Sequence, residues 1–245
     1  MEVHHHAHTA RKKWTHYFWE FIMLFLAVFC GFLAEYQLEH KIEHSREKQY
    51  MQSMLEDMHK DTTEINDVIK ICETVVKRLD TATGILLSGN FDDNAVQALY
   101  RINLGYLRNT NVYLTDRTSS QLKNAGGMRL IRNNEVSDKL LNYWRLYEIL
   151  LDRTNTTEEL KVKAREKSYS IFNHLYYSVD THNTAPLVLP NAVLMTKEPY
   201  ILAEFSNRLS HIRNSIQYIY IFYLNLQREA TEKLMLLIRK KYHLE

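Results

Sequence analysis

Residues 21–34 (FIMLFLAVFCGFLA) form an uninterrupted apolar run, and this run constrains the chain more than any other segment. Counting back through four aromatic residues to Trp14 extends it to the roughly 20 residues that a membrane-spanning helix needs. Aromatic rings commonly lie at the headgroup level, so they are suitable ends for such a helix. The sequence therefore predicts a transmembrane helix over residues 14–35, preceded by an N-terminal tail over residues 1–13.

A cleaved signal sequence has the same layout of basic residues followed by an apolar run, and Cys30 raises the alternative of a lipoprotein signal. Signal cleavage requires small residues just before the cut. Here Val28 and Phe29 precede Cys30. We therefore expect the apolar segment to be retained as an anchor in the lipid bilayer.

Glu20 is the one acidic residue between Trp14 and Ala34 of the predicted span. A carboxylate within a membrane is a functional candidate, and an oligomer could use it to line an ion or proton path. The alternative is that Glu20, one turn from a basic and aromatic end, reaches water by snorkelling. The sequence leaves both interpretations open.

Small residues lie on one side of the predicted span. Ala27 and Gly31 are four residues apart, and so are Cys30 and Ala34. Such spacing lets two helix backbones approach closely, so it predicts a homo-oligomer. Small residues are also common in membrane helices that do not associate.

Lysine and arginine are almost evenly distributed on the two sides of the span: Arg11, Lys12 and Lys13 before it, and Lys41, Arg46 and Lys48 after it. A short basic N-terminus normally stays inside, and a long following domain is translocated largely regardless of its charge. We therefore expect a single-pass protein of a bacterial inner membrane, with a cytoplasmic N-terminus and a periplasmic C-terminal domain.

Composition favours helix and gives no strong electrostatic signal. The 245 residues carry a formal charge of +2 and include only six glycines and three prolines. A nucleic-acid-binding domain usually has a basic stripe and a pI above about 9, so we expect no nucleic-acid partner. The two cysteines exclude a disulfide framework. The histidine-rich residues 1–10 are assigned no role.

After a charged, solvated stalk over residues 36–50, apolar residues recur every seven positions at Met51, Met58, Ile65, Cys72 and Leu79. This spacing predicts one long helix with a coiled-coil-like stripe, continuous with the span. We expect the helix to stop at Gly84.

The remaining chain predicts further helices of a bundle domain over residues 51–245. Short helices are expected over residues 95–107 and 112–124, and a long one over residues 135–179. A proline-containing, apolar strap then precedes a final helix. Its predicted buried stripe consists of Phe205, Leu209, Ile212, Ile216, Ile219, Tyr223, Leu226, Ala230, Leu234 and Leu237. The fold class is all-α, with an N-terminal transmembrane helix continuing into an antiparallel bundle of long helices.

Catalytic motifs are scarce. His40, Glu43 and His44 form an H-x-x-E-H string that matches an inverted zinc-protease signature. The string lies on a polar stalk without a recognisable further ligand, so a zinc hydrolase is the weakest of the hypotheses and His40 and His44 are weak metal candidates. We predict no cofactor. Tyrosines of the long helices are interpreted as residues at the edge of the core, with their hydroxyls facing water.

Residues 20–61 resemble the opening of a family of uncharacterised bacterial single-pass membrane proteins. In that family a glutamate-led apolar span and a charged stalk precede a Tyr-Leu-x-x-Leu-x-x-Asp helix. The corresponding residues here are Tyr50, Met51, Met54, Leu55 and Asp57. Tyr36 and Gln37 replace the Asn-Trp pair that usually follows the span.

Residues 120–143 are similar to a second segment of that family, Leu-x-x-x-Gly-x-x-x-Leu-Ile-x-Asn, which is represented here by Leu122, Gly126, Leu130, Ile131 and Asn133. The resemblance implies a membrane-anchored helical domain and supplies no catalytic residues. Our leading hypothesis is a non-enzymatic scaffold, adaptor or sensor-like protein that self-associates and has a possible protein partner.

Overall fold

The structure, a computed structural model, describes residues 14–105, 110–124, 126–179 and 186–244. The predicted tail, with Arg11, Lys12 and Lys13, lies outside the described residues. The helices are α1 (Trp14–Ser88), α2 (Asp93–Gly105), α3 (Arg117–Asn124), α4 (Asn134–Ser168), α5 (Pro199–Asn214) and α6 (Ile221–Tyr242). Shorter elements are the 3₁₀ turns Gly127–Leu130 and His174–Tyr176, the π-helix Ser215–Tyr220, and strands β1 (Tyr177–Val179) and β2 (Pro186–Val188). The all-α prediction is confirmed.

The chain forms two compact units, Met1–Gln49 and Tyr50–Glu245. The N-terminal unit is described from Trp14 onward, as the first part of α1. Its apolar side chains are exposed; Leu24 is 72% exposed and Phe32 is 70% exposed. An 18-residue window has a mean hydropathy of 2.0, and none of it is buried. By length and composition, this is the one helix among the described residues that could cross a membrane.

The C-terminal unit buries the seven-residue stripe of α1. Met51, Met58, Ile65, Cys72 and Leu79 are each 0% exposed. A helix with such a stripe is stable in water only when another surface covers the stripe. Here the other helices of the same chain cover it, so the predicted apolar face is confirmed and belongs to an intramolecular core.

Polar contacts fix the directions of the helices. Arg213 of α5 donates to Asp80 at 2.9 Å, and Arg228 of α6 donates to Asn66 at 3.0 Å. The later residue in the final helical segment (Arg228) therefore pairs with the earlier residue of α1 (Asn66). Helix α1 and the final helical segment are therefore antiparallel.

Helix α4 is also antiparallel to the final helical segment, which consists of α5, the π-helix and α6. Lys241 lies 3.1 Å from Glu135 near the start of α4, and Lys167 contacts Glu204 near its end. α2 and α3 together occupy the fourth position of the bundle and are antiparallel to α1. Asp57 contacts the start of α3 and Arg78 lies against Gly105 at the end of α2. The unit is thus an up-down-up-down bundle.

The first predicted stop is wrong. α1 passes through Gly84 and ends at Ser88, beside Gly89, whose φ is +67°. An interior glycine costs a helix only about 1 kcal/mol, which the packing of the surrounding turns offsets. The positive φ, which a side chain disfavours, is at Gly89.

Two glycines give a matched test of this reading. Gly84→Ala is expected to raise the free energy of unfolding by about 0.5–1 kcal/mol, because the added methyl group meets nothing within 4 Å in a helical backbone. Gly89→Ala is expected to lower it by about 1–2 kcal/mol, because Gly89 has φ +67°. Denaturant unfolding followed by circular dichroism measures both. Equal effects in the two variants contradict the assignment.

The helix predicted over residues 112–124 is also wrong in its first half, because α3 begins at Arg117. Residues 110–116 are not helical. Their buried backbone groups bond to side chains of other helices instead of to a helical neighbour. This segment is described with the candidate site below.

α4 ends at Ser168, eleven residues before the predicted end. The amides of Ile171 and Phe172 both donate to the carbonyl of Ser168, which turns the chain tightly. The chain then forms the antiparallel hairpin β1–β2, with Leu187 opposite Ser178. Of the strap predicted over residues 180–199, residues 186–188 form β2, and Ala192 and Leu194 are buried in the core. Residues 180–185 lie outside the described part of the chain.

The final helical stripe changes register at the π-helix Ser215–Tyr220. Ile219 was predicted to be buried and is 43% exposed, whereas Tyr220, Leu224 and Gln227 are each 0% exposed. A π turn inserts one extra residue and rotates everything after it. The predicted positions Tyr223, Leu226 and Ala230 are accordingly only partly buried.

Candidate functional site

Two aspartates four residues apart on α1 define the most polar part of the core. Asp57 is 0% exposed and Asp61 is 1% exposed. Asp57 accepts hydrogen bonds from Arg117 at 2.8 Å, from the Thr118 amide at 3.1 Å and from the Thr118 hydroxyl at 2.5 Å. A carboxylate at the first turn of a helix satisfies free amides and the positive end of the helix dipole. Asp57 therefore fixes the start of α3.

Asp61 holds the non-helical residues 110–116, which we call the inserted segment. It accepts hydrogen bonds from the Thr115 amide at 2.7 Å and from the Tyr143 hydroxyl at 2.5 Å. Burial raises the pKa of Asp61, and burial also raises the pKa of Tyr143. The stabilising contribution of Asp61 is therefore complete below its ordinary pKa and falls as the pH rises through the folded-state pKa.

A buried lysine binds the other end of the inserted segment. Lys161 is 0% exposed, and its Nζ donates to the Thr110 hydroxyl at 2.8 Å and to Glu158 at 2.7 Å. The hydroxyl of Tyr220 donates to the Thr110 carbonyl at 2.7 Å. A buried charge is tolerated when it is paired and hydrogen-bonded. These groups hold the segment between the helices.

The π-helix places polar side chains in this part of the core. The Thr154 hydroxyl lies 3.2 Å from the Tyr220 hydroxyl, and the hydroxyls of Thr157 and Ser215 are 3.2 Å apart. π turns occur often at functional sites. In this chain the turn supplies Tyr220 to the inserted segment.

The tyrosine hydroxyls were predicted to face water, and this is wrong for two of them. Tyr143 is 2% exposed and Tyr220 is 0% exposed, and both hydroxyls are used inside the core. Tyr169 and Tyr218 are exposed as expected. Helical spacing alone could not identify the buried rings, because their polar partners lie on distant parts of the chain.

The chemistry of the cluster is structural. Cys72 is the buried free cysteine of the C-terminal unit, and burial raises its pKa to about 12. Since the thiolate is the reactive form, this thiol is inert at neutral pH. Asp57, Asp61 and Lys161 each contact backbone or side-chain groups that would otherwise be buried without a partner.

The buried tyrosines predict an alkaline transition. Burial raises the pKa of Tyr177 to about 12 and also raises those of Tyr143 and Tyr220. Groups with a raised pKa stabilise the fold below their ordinary pKa of about 10, and this contribution is lost as the pH rises further. We expect native phenolate absorbance to lag behind that of the chain in concentrated guanidinium chloride, with unfolding between pH 10 and about 12. Identical titration curves in the two solvents contradict this.

The four small residues of the predicted span lie on exposed surface. Ala27, Cys30, Gly31 and Ala34 are exposed, and a methyl group added at Gly31 meets nothing within 4 Å. The small-residue face is thus open to another helix. Association through it stays a prediction.

Glu20 is half exposed, and its Oε1 lies 3.1 Å from Nε2 of His16, one turn earlier. A pair on one helix gives the carboxylate a local partner without a second chain. The ion-path hypothesis stays a prediction. Flux through liposomes that is absent with both the native chain and Glu20→Gln, or that the substitution leaves unchanged, would remove it.

The zinc candidates His40 and His44 lie on α1. Tyr36 stacks on His40, and Nδ1 of His44 lies 3.6 Å from Glu47. Among the residues that the structure describes, no group of three or more His, Cys, Asp or Glu is placed to hold a metal ion. His40, Glu43 and His44 therefore do not form such a group in the described chain.

Comparison with known proteins gives no match: no family model, no curated protein and no solved structure matches this chain. The family resemblance of residues 20–61 and 120–143 stays a prediction.

Proposed function

We propose that this protein is a membrane-anchored, non-enzymatic helical bundle that acts as a scaffold or adaptor and self-associates. The observation that carries the proposal is the apolar part of α1, whose most apolar window has a mean hydropathy of 2.0 and no buried residues. An apolar surface of this extent is unfavourable in water. The length and composition of this apolar part of α1 match the hydrocarbon core of a lipid bilayer.

The buried polar groups support a binding role over catalysis. An active site presents its ionisable groups to a substrate. Catalytic groups with a shifted pKa usually lie in a cleft. Asp57, Asp61 and Lys161 are instead buried and bonded to the inserted segment and α3. Their chemistry is used in holding the fold, which leaves the exposed surfaces for interaction.

For the placement we propose a bacterial inner membrane, with the N-terminus in the cytoplasm and the C-terminal unit in the periplasm. The support is the short basic N-terminal tail and the length of the chain that follows the span. Single-pass topology agrees with one helix of sufficient length and apolarity among the described residues.

Self-association through the span is tested by the mass of the detergent-solubilised chain, measured by light scattering. The native chain is expected to be oligomeric, and Gly31→Leu is expected to shift it to monomer, because a leucine separates backbones that approach at small residues. A Cβ atom added at Gly31 meets nothing within 4 Å in one copy, so the shift reports on the partner helix.

Phe29→Leu is the matched control, because position 29 lies on the opposite side of the helix from the small residues. It should leave the mass unchanged. A monomer in both the native chain and Gly31→Leu would contradict association through the span.

A further inference from the structure

A groove lies between the start of the C-terminal unit in α1 and the end of α6. Its volume is about 520 Å³, and it is open to solvent. Small-molecule sites in proteins commonly have volumes of about 300–1,000 Å³. The groove is therefore large enough for a small organic molecule. Its lining includes Leu55, Glu56, His59 and Lys60 from α1, and Arg239 and Leu244 from the end of α6 and the residues after it.

The floor of the groove is apolar. Leu55 is 7% exposed, and Leu244 packs partly buried against the core. The chain turns back at His243, whose φ of 50° is in the left-handed region that often ends a helix. The amides of His243 and Leu244 both donate to the carbonyl of Arg239. This turn places Leu244 in the groove and satisfies a carbonyl at the negative end of α6.

Two cations line the groove without a carboxylate partner. Glu56, one turn before Lys60, is the usual partner for a lysine at this spacing. It accepts instead from Arg117 of α3 at 3.2 Å. The residues three and four positions before and after Arg239 include no aspartate or glutamate. Among the described residues, which end at Leu244, no carboxylate pairs with Lys60 or Arg239.

The neighbouring charges make this arrangement distinctive. Lys241, two residues after Arg239, pairs with Glu135 at 3.1 Å. Glu56 is the one carboxylate among the described residues that line the groove, and its ion pair with Arg117 offsets its charge. Lys60 and Arg239 are exposed and keep their full positive charge towards the groove. The groove therefore favours an anion.

The chemistry of the lining indicates the class of anion. Two permanent positive charges match a phosphomonoester, which carries a charge of about −1.5 to −2 at neutral pH. The arginine fork binds phosphate through two parallel hydrogen bonds, and lysine binds it as a point charge. The ring of His59 supplies a further N–H donor. An apolar floor suits the organic part of the molecule.

We propose that this groove binds an organic phosphomonoester. Lys60, Arg239 and His59 contact the phosphate group, and Leu55 and Leu244 contact the organic group. The groove lies within the C-terminal unit, so the proposal does not depend on the membrane anchor.

Equilibrium dialysis of radiolabelled phenyl phosphate against the full chain in a neutral detergent tests the site. Phenyl phosphate combines a phosphomonoester with an apolar ring. Lys60→Gln with Arg239→Gln should lower the affinity at least about tenfold, because both charged contacts to the phosphate are lost. Both positions are exposed, so far-UV circular dichroism should show the native helix content.

The matched control is Lys70→Gln with Arg145→Gln. It removes the same charge from two exposed positions that do not line the groove. Its affinity for phenyl phosphate should stay within about twofold of the native value, because distant surface charges are screened by salt. Equal losses in the two double variants would show that net charge, and not the groove, attracts the anion.

Competition separates the two parts of the ligand. Inorganic phosphate should displace phenyl phosphate, but at a concentration at least about threefold higher than unlabelled phenyl phosphate requires, because it has no group for the apolar floor. Phenol, which has the ring without the phosphate, should displace it less well than inorganic phosphate does.

A phosphomonoester occurs on soluble molecules and also on the lipid phosphatidic acid. The dialysis is therefore repeated with the chain in phosphatidylcholine nanodiscs that contain either phosphatidic acid or phosphatidylglycerol at equal mole fraction. Phosphatidylglycerol is anionic but has no phosphomonoester. Weaker binding of phenyl phosphate in the phosphatidic acid discs assigns the groove to the lipid headgroup, and equal binding assigns it to a soluble ester.

Three results overturn the proposal. The first is the absence of saturable phenyl phosphate binding to the native chain. The second is an affinity of Lys60→Gln with Arg239→Gln that equals the affinity of the control variant. The third is displacement by phenol that is as effective as displacement by inorganic phosphate.

Discussion

Replacing Asp57 with alanine is expected to lower the free energy of unfolding by about 2–4 kcal/mol. The carboxylate accepts from the Thr118 amide and hydroxyl, and Thr118 is only 1% exposed. Without Asp57, these two donors stay buried and lose their partner. Arg117 is half exposed and can turn to water, so the Thr118 donors account for most of the loss.

Denaturant unfolding in mild detergent, followed by the fluorescence of buried Trp144, measures this loss. The matched control is Glu56→Ala, which removes the exposed carboxylate bound to the same Arg117 at 3.2 Å. An exposed ion pair contributes at most about 1 kcal/mol, so the control should change little. Asp57→Asn keeps one acceptor and should lie between the two. Equal losses for Asp57→Ala and Glu56→Ala would show that Asp57 does not hold the start of α3.

Two lysines in the apolar segment are expected to remove the chain from membranes. Leu24 and Val28 lie near the middle of the proposed span and are 72% and 57% exposed. Each lysine at the centre of a span costs about 2.5–3.5 kcal/mol, so Leu24→Lys with Val28→Lys costs about 5–7 kcal/mol of insertion. The double variant should leave the membrane pellet.

The matched control places two lysines at exposed leucines outside the apolar segment, Leu87→Lys with Leu236→Lys. These leucines are 81% and 66% exposed. Because they lie in the C-terminal unit, the control should stay in the pellet. If both double variants pellet alike, the apolar segment is not what binds the membrane.

The sequence predicts the first helix well because one strong signal dominates it. Its seven-residue stripe has apolar side chains at Met51, Met58, Ile65, Cys72 and Leu79, and all five are buried. Periodicity of this length outweighs a single interior glycine. For this reason the helix continues past Gly84.

The register of the last helix could not be predicted in the same way. The pattern selects apolar residues, so it selects Ile219 and passes over Gln227, which is buried in the core. The π turn that shifts the register has no apolar signature, and Gln227 bonds to the carbonyl of Tyr143 on another helix. That contact exists only in the folded bundle.

The buried polar cluster could not be predicted from the sequence for a related reason. Asp57 and Asp61 look like ordinary charged residues of a helix face, since their partners Thr118 and Thr115 are more than fifty residues away. Residues 112–116 of the inserted segment are predicted as helix because their local sequence allows helix. Its backbone is held instead by side chains that the tertiary fold brings to it.

The proposed membrane anchor is tested most directly on the unmodified chain. Membranes are washed with alkaline carbonate, and the intact mass of the chain in the pellet is determined by mass spectrometry. We predict that the chain stays in the pellet and that its mass includes residues 14–35. A chain released into the supernatant, or one that begins downstream of Cys30, would contradict the proposed anchor.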